Sequence, residues 1–418
     1  MKTINLNNWI KKQKKISNMV VSKVNINDTK GWILDNKKIY NIKKNFFSIV
    51  PFSFNINKKK FWNQPLIIQK EVGILGILKK RYKSTDYYLL QAKIEPGNTD
   101  NIQLSPTVQA TQSNYLRKHG GKKTIFLEYF VKKQPKTKII SNLKLSEQGT
   151  RYVGKHNKNI LIDVNKIKLQ KYSNFIWLTK KNLIYLLNKR NLLNMDTISV
   201  FSSSIKQNKL DNPLNSLSII LKKFNIFKKK FVISKKQIYF NKLKNWKIKK
   251  DRIFDLKNNF FSILFIKIKT TSRGVANWHQ PMISDHSKSF NGFLVKVQNN
   301  TVHYFLQITQ EPGFSSPKFT TTVNVKNFNF KKNRNIKYIN HFKKNNFKLD
   351  VINSDEGGRF FKNESRNIIC VLKKQININS SKKYIWASHN QVINLIDQNK
   401  LSIEARNLFA SFNIDKIN

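Results

Sequence analysis

The sequence predicts an α+β fold, a sandwich of sheets and flanking helices, built twice in tandem by internal duplication. Three observations carry this. First, the chain repeats itself. Residues 30–50 (KGWILDNKKIYNIKKNFFSIV) match 244–264 (KNWKIKKDRIFDLKNNFFSIL), with Trp32 and Trp246, like Phe46 and Phe260, 214 positions apart. WNQPLI at Trp62 matches WHQPMI at Trp278, and the EPG turn at Glu95 matches that at Glu311, each 216 apart. SEQGTRY at Ser146 matches SDEGGRF at Ser354, FIWLT at Phe175 matches YIWAS at Tyr384, and LLNMDTISVF matches KLSIEARNLF. Matches kept in order over both halves mean one folding unit used twice, with halves 1–205 and 206–418. Second, short alternating or apolar runs bounded by Gly, Pro and Asn read as strands at 74–78, 87–94, 124–130 and 160–164. Third, each half closes on a helical stripe behind a capping residue, Thr179 in the first and Ser388 in the second.

The remaining elements follow in order. Residues 1–30 are polar with a helical period around Trp9, Ile10 and Ile16, which predicts a leading helix. The Lys/Asn/Phe-rich connector at 202–245 predicts the matching helix around 217–224. Between the EPG turn and the SEQG or SDEG segment the repeat spacing drops from 216 to 208, so the second half lacks about eight residues there. The first half carries SNYLRKHGG in that place.

Composition excludes more than it assigns. The 418 residues bear a formal charge of +57, which by itself points to a polyanion partner. The excess residues are Lys, Asn, Ile and Phe, all with A/T-rich codons, and the Lys are scattered over nearly every segment. Drift in an AT-rich genome accounts for that pattern, and neither an RRM-type aromatic signature nor zinc-finger spacing is present. No specific nucleic-acid partner is expected. The single cysteine, Cys370, sits in the apolar run NIICVL and reads as a small core residue. No secretory h-region and no eighteen-residue apolar window occur, so the expectation is a cytoplasmic protein without a membrane partner. Walker A, GxGxxG, HExxH, nucleophile-elbow and paired-His patterns are absent, and no metal or cofactor is expected.

The repeat also sorts residues by role. Positions kept in both halves are candidates for scaffold: Trp62/Trp278, Gln64/Gln280, Gln91/Gln307, Glu95/Glu311, Gly97/Gly313, Gly149/Gly357 and Arg151/Arg359. The tryptophans read as core and the Pro-Gly pairs as turns with glycine at positive φ. Glu95 and Arg151 read either as a structural ion pair or as ligand contacts. Polar residues found only in the first half are candidates for function: Lys93, where the second half has Thr309, then Tyr115, Arg117 and His119. In an extended segment the last three alternate onto one face. A guanidinium there suits a diphosphate, and an imidazole or phenol suits proton transfer.

At these residues the chain resembles the NDP-hexose 2,3-dehydratases of deoxysugar biosynthesis. The resemblance rests on GILG (73–76), QAKIEPGN (91–98), QLSPTVQAT (103–111), SNYLRKHGG (113–121), LEYF (127–130), SEQGTRY (146–152) and NMDT (194–197), with WHQP, EPGF and SDEGGRF in the second half. It implies two tandem Nudix-like units in a homodimer, without a metal-binding Nudix box. It implies a dTDP-4-keto-6-deoxyhexose substrate and cofactor-free loss of water. It places His119 as base or acid with Tyr115 as its partner, and Glu147 as an alternative base. Lys93 or Arg117 would steady the enolate or the diphosphate. Substrate contacts would come from Gln91, Lys93, Glu95, Gln103, Ser105, Thr107, Gln109, Asn114, Arg117 and Arg151. The second half has FTTTVNV for LSPTVQA and lacks the NYLRKHGG loop, so its pocket is expected to be degenerate. The rival readings are a nucleotide-sugar binder without turnover and a basic nucleic-acid-binding protein.

Overall fold

In the computed structural model, which describes residues 5–43, 46–115, 123–132, 134–272, 275–329, 333–343, 347–373 and 375–418, the strand-forming runs assemble into four sheets. The two larger sheets share one plan. The first orders its strands Lys138–Ser146, His156–Asp163, Gly73–Tyr82, Thr85–Ile94, Phe175–Thr179, with Val108–Ala110 against Gly73–Tyr82 and Ile102–Ser105 against Thr85–Ile94. The second orders Phe347–Ser354, Glu364–Val371, Ser289–Gln298, Thr301–Thr309, Tyr384–Ser388, with Val323–Val325 and Lys318–Thr320 in the corresponding places. Each contains one parallel pair, His156–Asp163 on Gly73–Tyr82 and Glu364–Val371 on Ser289–Gln298. These strands are continuously buried over much of their length, which is why they read as apolar runs and not as alternating ones.

The two smaller sheets exchange strands between the halves. Ile233–Gln237 pairs antiparallel with Ser48–Ile56, and Met19–Lys23 pairs antiparallel with Phe261–Thr270. Each half's leading helix, Leu6–Ile16 or Leu217–Lys230, directly precedes the strand that crosses over. At the centre, the helices Met195–Ser202 and Ile403–Phe412 pack on each other. Every residue of Met195–Ser202 is buried, as expected of a helix with sheet on one side and helix on the other. The principal core accordingly includes residues of both halves, with Tyr88 edge-on to Phe201 in the first and Tyr304 edge-on to Phe409 in the second. The capping residues sit where the sequence puts them. Thr179 and Ser388 open Lys180–Leu187 and His389–Asp397, each in a reciprocal capping box with Asn182 or Gln391.

Three expectations need correction. Residues 124–130 are not a strand: a turn with Phe126 at φ 63° leads into the short helix Glu128–Val131. The apolar run roofs the sheet without extending it, because Phe130 lies on Gly76, where a Cβ would come within 2.3 Å of the ring. Tyr115 does not begin an extended segment either, since it ends the helix Gln112–Tyr115. Finally, the repeated glycines do not serve positive φ; among the described glycines only Gly31 and Gly154 have it. Their purpose is close approach. The Gly97 N–H donates to Gly357 O at 2.7 Å, and the Gly313 N–H donates to Gly149 O at 2.7 Å, so each half's EPG turn docks on the other half's acidic turn. A Cβ on Gly97 would lie 1.7 Å from the Phe360 carbonyl oxygen.

Candidate active site

The strand Thr85–Ile94 puts Leu90, Ala92 and Ile94 into the core, so Gln91 and Lys93 point to its other face. Lys93 is the pivot of that face. Its Nζ lies 3.0 Å from Glu95 Oε1 and donates to Gln109 Oε1 at 2.8 Å. Gln109 in turn donates through Nε2 to Asp196 Oδ2 at 2.7 Å. The Lys93 side chain is 16% exposed and that of Glu95 5%, so the ammonium is the more open end of the pair. Asp196 is in the first turn of Met195–Ser202, whose capping Asn194 accepts the Asp196 N–H at 2.8 Å. Burial, and after it the charges of Glu147, Glu356 and Glu95, push the Asp196 carboxyl well above the usual range. Burial and these neighbouring carboxylates thus favour the protonated form of Asp196.

A second group of side chains surrounds Glu147. Its Oε1 accepts from Asn157 Nδ2 at 2.7 Å, while Asn157 Oδ1 accepts the Gly73 N–H at 3.0 Å. Burial raises the Glu147 carboxyl, and Arg406, Lys155 and the Asn157 hydrogen bond pull in the opposite direction. Lys155, lowered to about 8 by burial, donates to the Glu71 carbonyl. Ser113 Oγ donates to Glu71 Oε2 at 3.0 Å. The helix Gln112–Tyr115, which holds the start of the SNYLRKHGG segment, is thus tied to the same residue as Lys155. Arg117 and His119 lie outside the described residues, as do the side chains of Asn114 and Tyr115.

Several of the expected contact residues have partners within the protein, and two of them, Arg151 and Gln103, reach the other half. Arg151 pairs with Asp285 of the second half at 2.6 Å, both almost fully buried, and its guanidinium lies over the Phe261 ring. The Glu95–Arg151 ion pair suggested by the sequence does not form: Glu95 has Lys93 and Arg151 has Asp285. Gln103 accepts from Asn194 Nδ2 at 3.1 Å and donates to Ser354. Thr107 Oγ1 accepts the Leu78 N–H at 3.0 Å and donates to the Leu89 carbonyl, and Thr322 repeats this between Leu294 and Phe305. Ser105 is buried opposite Gln91 in the strand pair. Trp62 donates to Gln64, which holds the Thr150 carbonyl, and Trp278, Gln280 and Gly358 repeat that link.

Sequence reasoning missed Asp196, Lys155, Asn157 and Glu356. Asp196 stands in the NMDT segment and repeats as Glu404, an acid just inside a capped helix, which is the signal that could have found it. The others have no sequence signal apart from proximity to SEQG or SDEG.

Two halves of one plan are joined through buried acids and bases, and the first bears the chain Glu95–Lys93–Gln109–Asp196, groups able to move a proton and to meet an anionic ligand. The family model for NDP-hexose 2,3-dehydratase matches residues 3–203 and 219–412, and the chain belongs to that family of hydro-lyases acting on nucleotide sugars. Three relatives are dTDP-4-dehydro-6-deoxy-alpha-D-glucopyranose 2,3-dehydratases. The one from Streptomyces violaceoruber is 26% identical over 93% of this chain and 92% of its own length. That from Amycolatopsis orientalis is 30% identical over 84% and 76%, and that from Saccharopolyspora spinosa 27% over 84% and 78%.

Proposed function

We propose that this chain removes water from dTDP-4-keto-6-deoxyglucose to give the 3,4-diketo-2,6-dideoxy sugar nucleotide, a step of deoxysugar biosynthesis that needs no cofactor. The observation that carries this reading is the family match across both halves, at residues that include every motif segment of the first. The C4 ketone acidifies the C3 proton. A base takes that proton, and the electron pair becomes the enolate. The enolate then expels the C2 hydroxyl, which leaves as water with a proton from an acid. The resulting enol, with its hydroxyl on C3, is protonated at C2 and becomes the 3-ketone.

His119 and Tyr115 act as the base and acid pair in this reading, with Glu147 as the alternative base. Asp196, whose protonated form burial favours, is a further candidate donor. Lys93 stabilises the enolate oxygen or, with Arg117, the diphosphate. Gln91, Gln109 and Asn114 complete the substrate contacts. The reading includes a duplication into Nudix-like halves at 1–205 and 206–418, the first reacting and the second a scaffold, and a homodimer of the 49.3 kDa chain. The repeated strand order and the reciprocal glycine contacts support the duplication. The test is mass spectrometry of the purified protein with dTDP-4-keto-6-deoxyglucose and a diamine trap. Loss of one water that requires His119 or Tyr115 is expected. Binding without loss of water would leave only a nucleotide-sugar binder.

A further inference from the structure

The reciprocal docking of the halves is built from unequal parts. At one contact the Gly97 N–H donates to Gly357 O at 2.7 Å and a Cβ on Gly357 would lie 3.0 Å from that of Glu95, so the EPG turn of the first half sets the Glu95 carboxyl against that of Glu356 on the SDEG turn. At the other contact the second half brings Glu311 to the SEQG turn, where the residue in Glu356's place is Gln148. There Glu311 Oε2 accepts the Gly149 N–H at 3.2 Å, and Gln148 Nε2 donates to Asp355 Oδ1 at 3.1 Å. The turn that meets Lys93's strand therefore carries a glutamate, Glu356, where the other docking turn carries Gln148.

We propose that Glu356 is a positioning residue, reaching from the second half to hold Glu95 and, through Glu95, the Lys93 ammonium of the first. Two carboxyl groups in hydrogen-bond contact keep one proton between them, because two carboxylates there would repel. Glu356 Oε1 accepts the Gly358 N–H at 2.8 Å, which fixes the carboxyl on its own turn beside Glu95. Glu95 is then a carboxylate backed by a donor on one side and paired with Lys93 at 3.0 Å on the other. Gln109 fixes the remaining direction of the ammonium. The charged groups that face Glu356 are Glu95 and Lys93 from the first half's strand and turn, and Arg359 on its own turn. Tyr152 and Lys155 face it from the SEQG segment, and Asp196 from the central helix. Burial and the Glu95 charge raise the Glu356 carboxyl to about 8. Above that pH the shared proton leaves, the two carboxylates push apart, and Lys93 loses its seat.

This inference rests on Lys93 belonging to the reacting site, so the experiment separates the two. Full-length protein is compared as wild type, E356Q, E356A and K93M, with kcat and KM measured from pH 6 to 9.5 on dTDP-4-keto-6-deoxyglucose. In parallel, acetic anhydride labelling of Lys93 is followed by mass spectrometry, which needs no turnover. E356Q keeps an N–H donor toward Glu95 at every pH. It should retain most of the rate, lose the falling limb near pH 8 and label Lys93 as the wild type does. E356A should lower kcat about tenfold with little change in KM, and label Lys93 several times faster. Equal Lys93 labelling and equal pH limbs in wild type, E356Q and E356A, with K93M inactive, would overturn the positioning role and leave the site reading intact. Full activity of K93M would remove both.

Discussion

At the scale of single residues, Lys93 concentrates the chemistry available in the first half. Its ammonium is the open end of a chain running from Glu356 through Glu95, and from Gln109 to Asp196. Removing a preorganised donor at a developing oxyanion costs about 100- to 1000-fold in kcat. Lys93→Met should show a loss of that size at saturating substrate, together with a lowered thermal midpoint, because buried Glu95 loses its ion-pair partner. A wild-type rate in this variant would place the oxyanion donor elsewhere. Titration gives a second residue-scale expectation. Glu311 and Glu356 are raised to about 8, above their unfolded value of 4.5. Their stabilisation is complete below the unfolded value and is lost as pH rises through about 8. Lys155 and Lys318 are lowered to about 8, so unfolded lysine binds the proton that the folded form gives up between about 8 and 10.5, and stability recovers there. Calorimetric midpoints should fall from pH 5 to 8 and rise again above it; a midpoint that climbs steadily from 5 to 8 would contradict the buried carboxyls.

At the scale of elements, the turns between the halves matter more than the helices that cap them. Gly97 has no room for a methyl group, with the Phe360 carbonyl 1.7 Å from the Cβ position, and Gly313 faces the Tyr152 carbonyl equally closely. Alanine at either place should destabilise by roughly 3 kcal/mol, a backbone overpacking cost, read as a lowered urea midpoint. The exchanged strands make a related case. Met19–Lys23 covers one edge of Phe261–Thr270, so deleting residues 1–24 should expose Ile266 and Ile268 and lower the thermal midpoint of the second half. The elements were largely legible in the sequence. Capped helices and apolar strands follow from local periodicity. The failure at 124–130 is physical: an apolar run long enough for a strand was used as a lid, and only the missing side chain at Gly76 makes the space for it.

At the scale of the whole molecule, charge is sorted by depth. Of a chain with 79 Lys and Arg but 22 Asp and Glu, the acids Glu95, Glu147, Asp196, Glu311, Asp355 and Glu404 are all buried. Arg406 lies among Glu147, Glu404, Asp196 and Glu311, fully buried. Lysine is spread over the surface, while these acids lie buried beside Lys93, Lys326 or Arg406. The halves should not survive separation. Residues 1–205 or 206–418 expressed alone would leave Arg151 or Asp285 as an unpaired buried charge and a sheet short of one strand. Insoluble single halves and a soluble, co-purifying pair on co-expression are expected. Retention on immobilised DNA should be lost at moderate salt, with turnover unchanged by nuclease; salt-resistant binding would argue for a nucleic-acid role.

By itself the sequence determined the internal repeat of its motifs, most of the secondary-structure types, the family and the first-half location of the distinguishing polar residues. These depend on local periodicity and on short motifs, which neighbouring residues encode together. Only the tertiary structure decided which acid meets which base. Glu95 finds Lys93 two residues away, but Arg151 finds Asp285 and Glu356 finds Glu95, because the halves dock turn to turn and exchange strands. Partners separated by half a chain are selected by packing distance, a quantity that no spacing along the sequence contains.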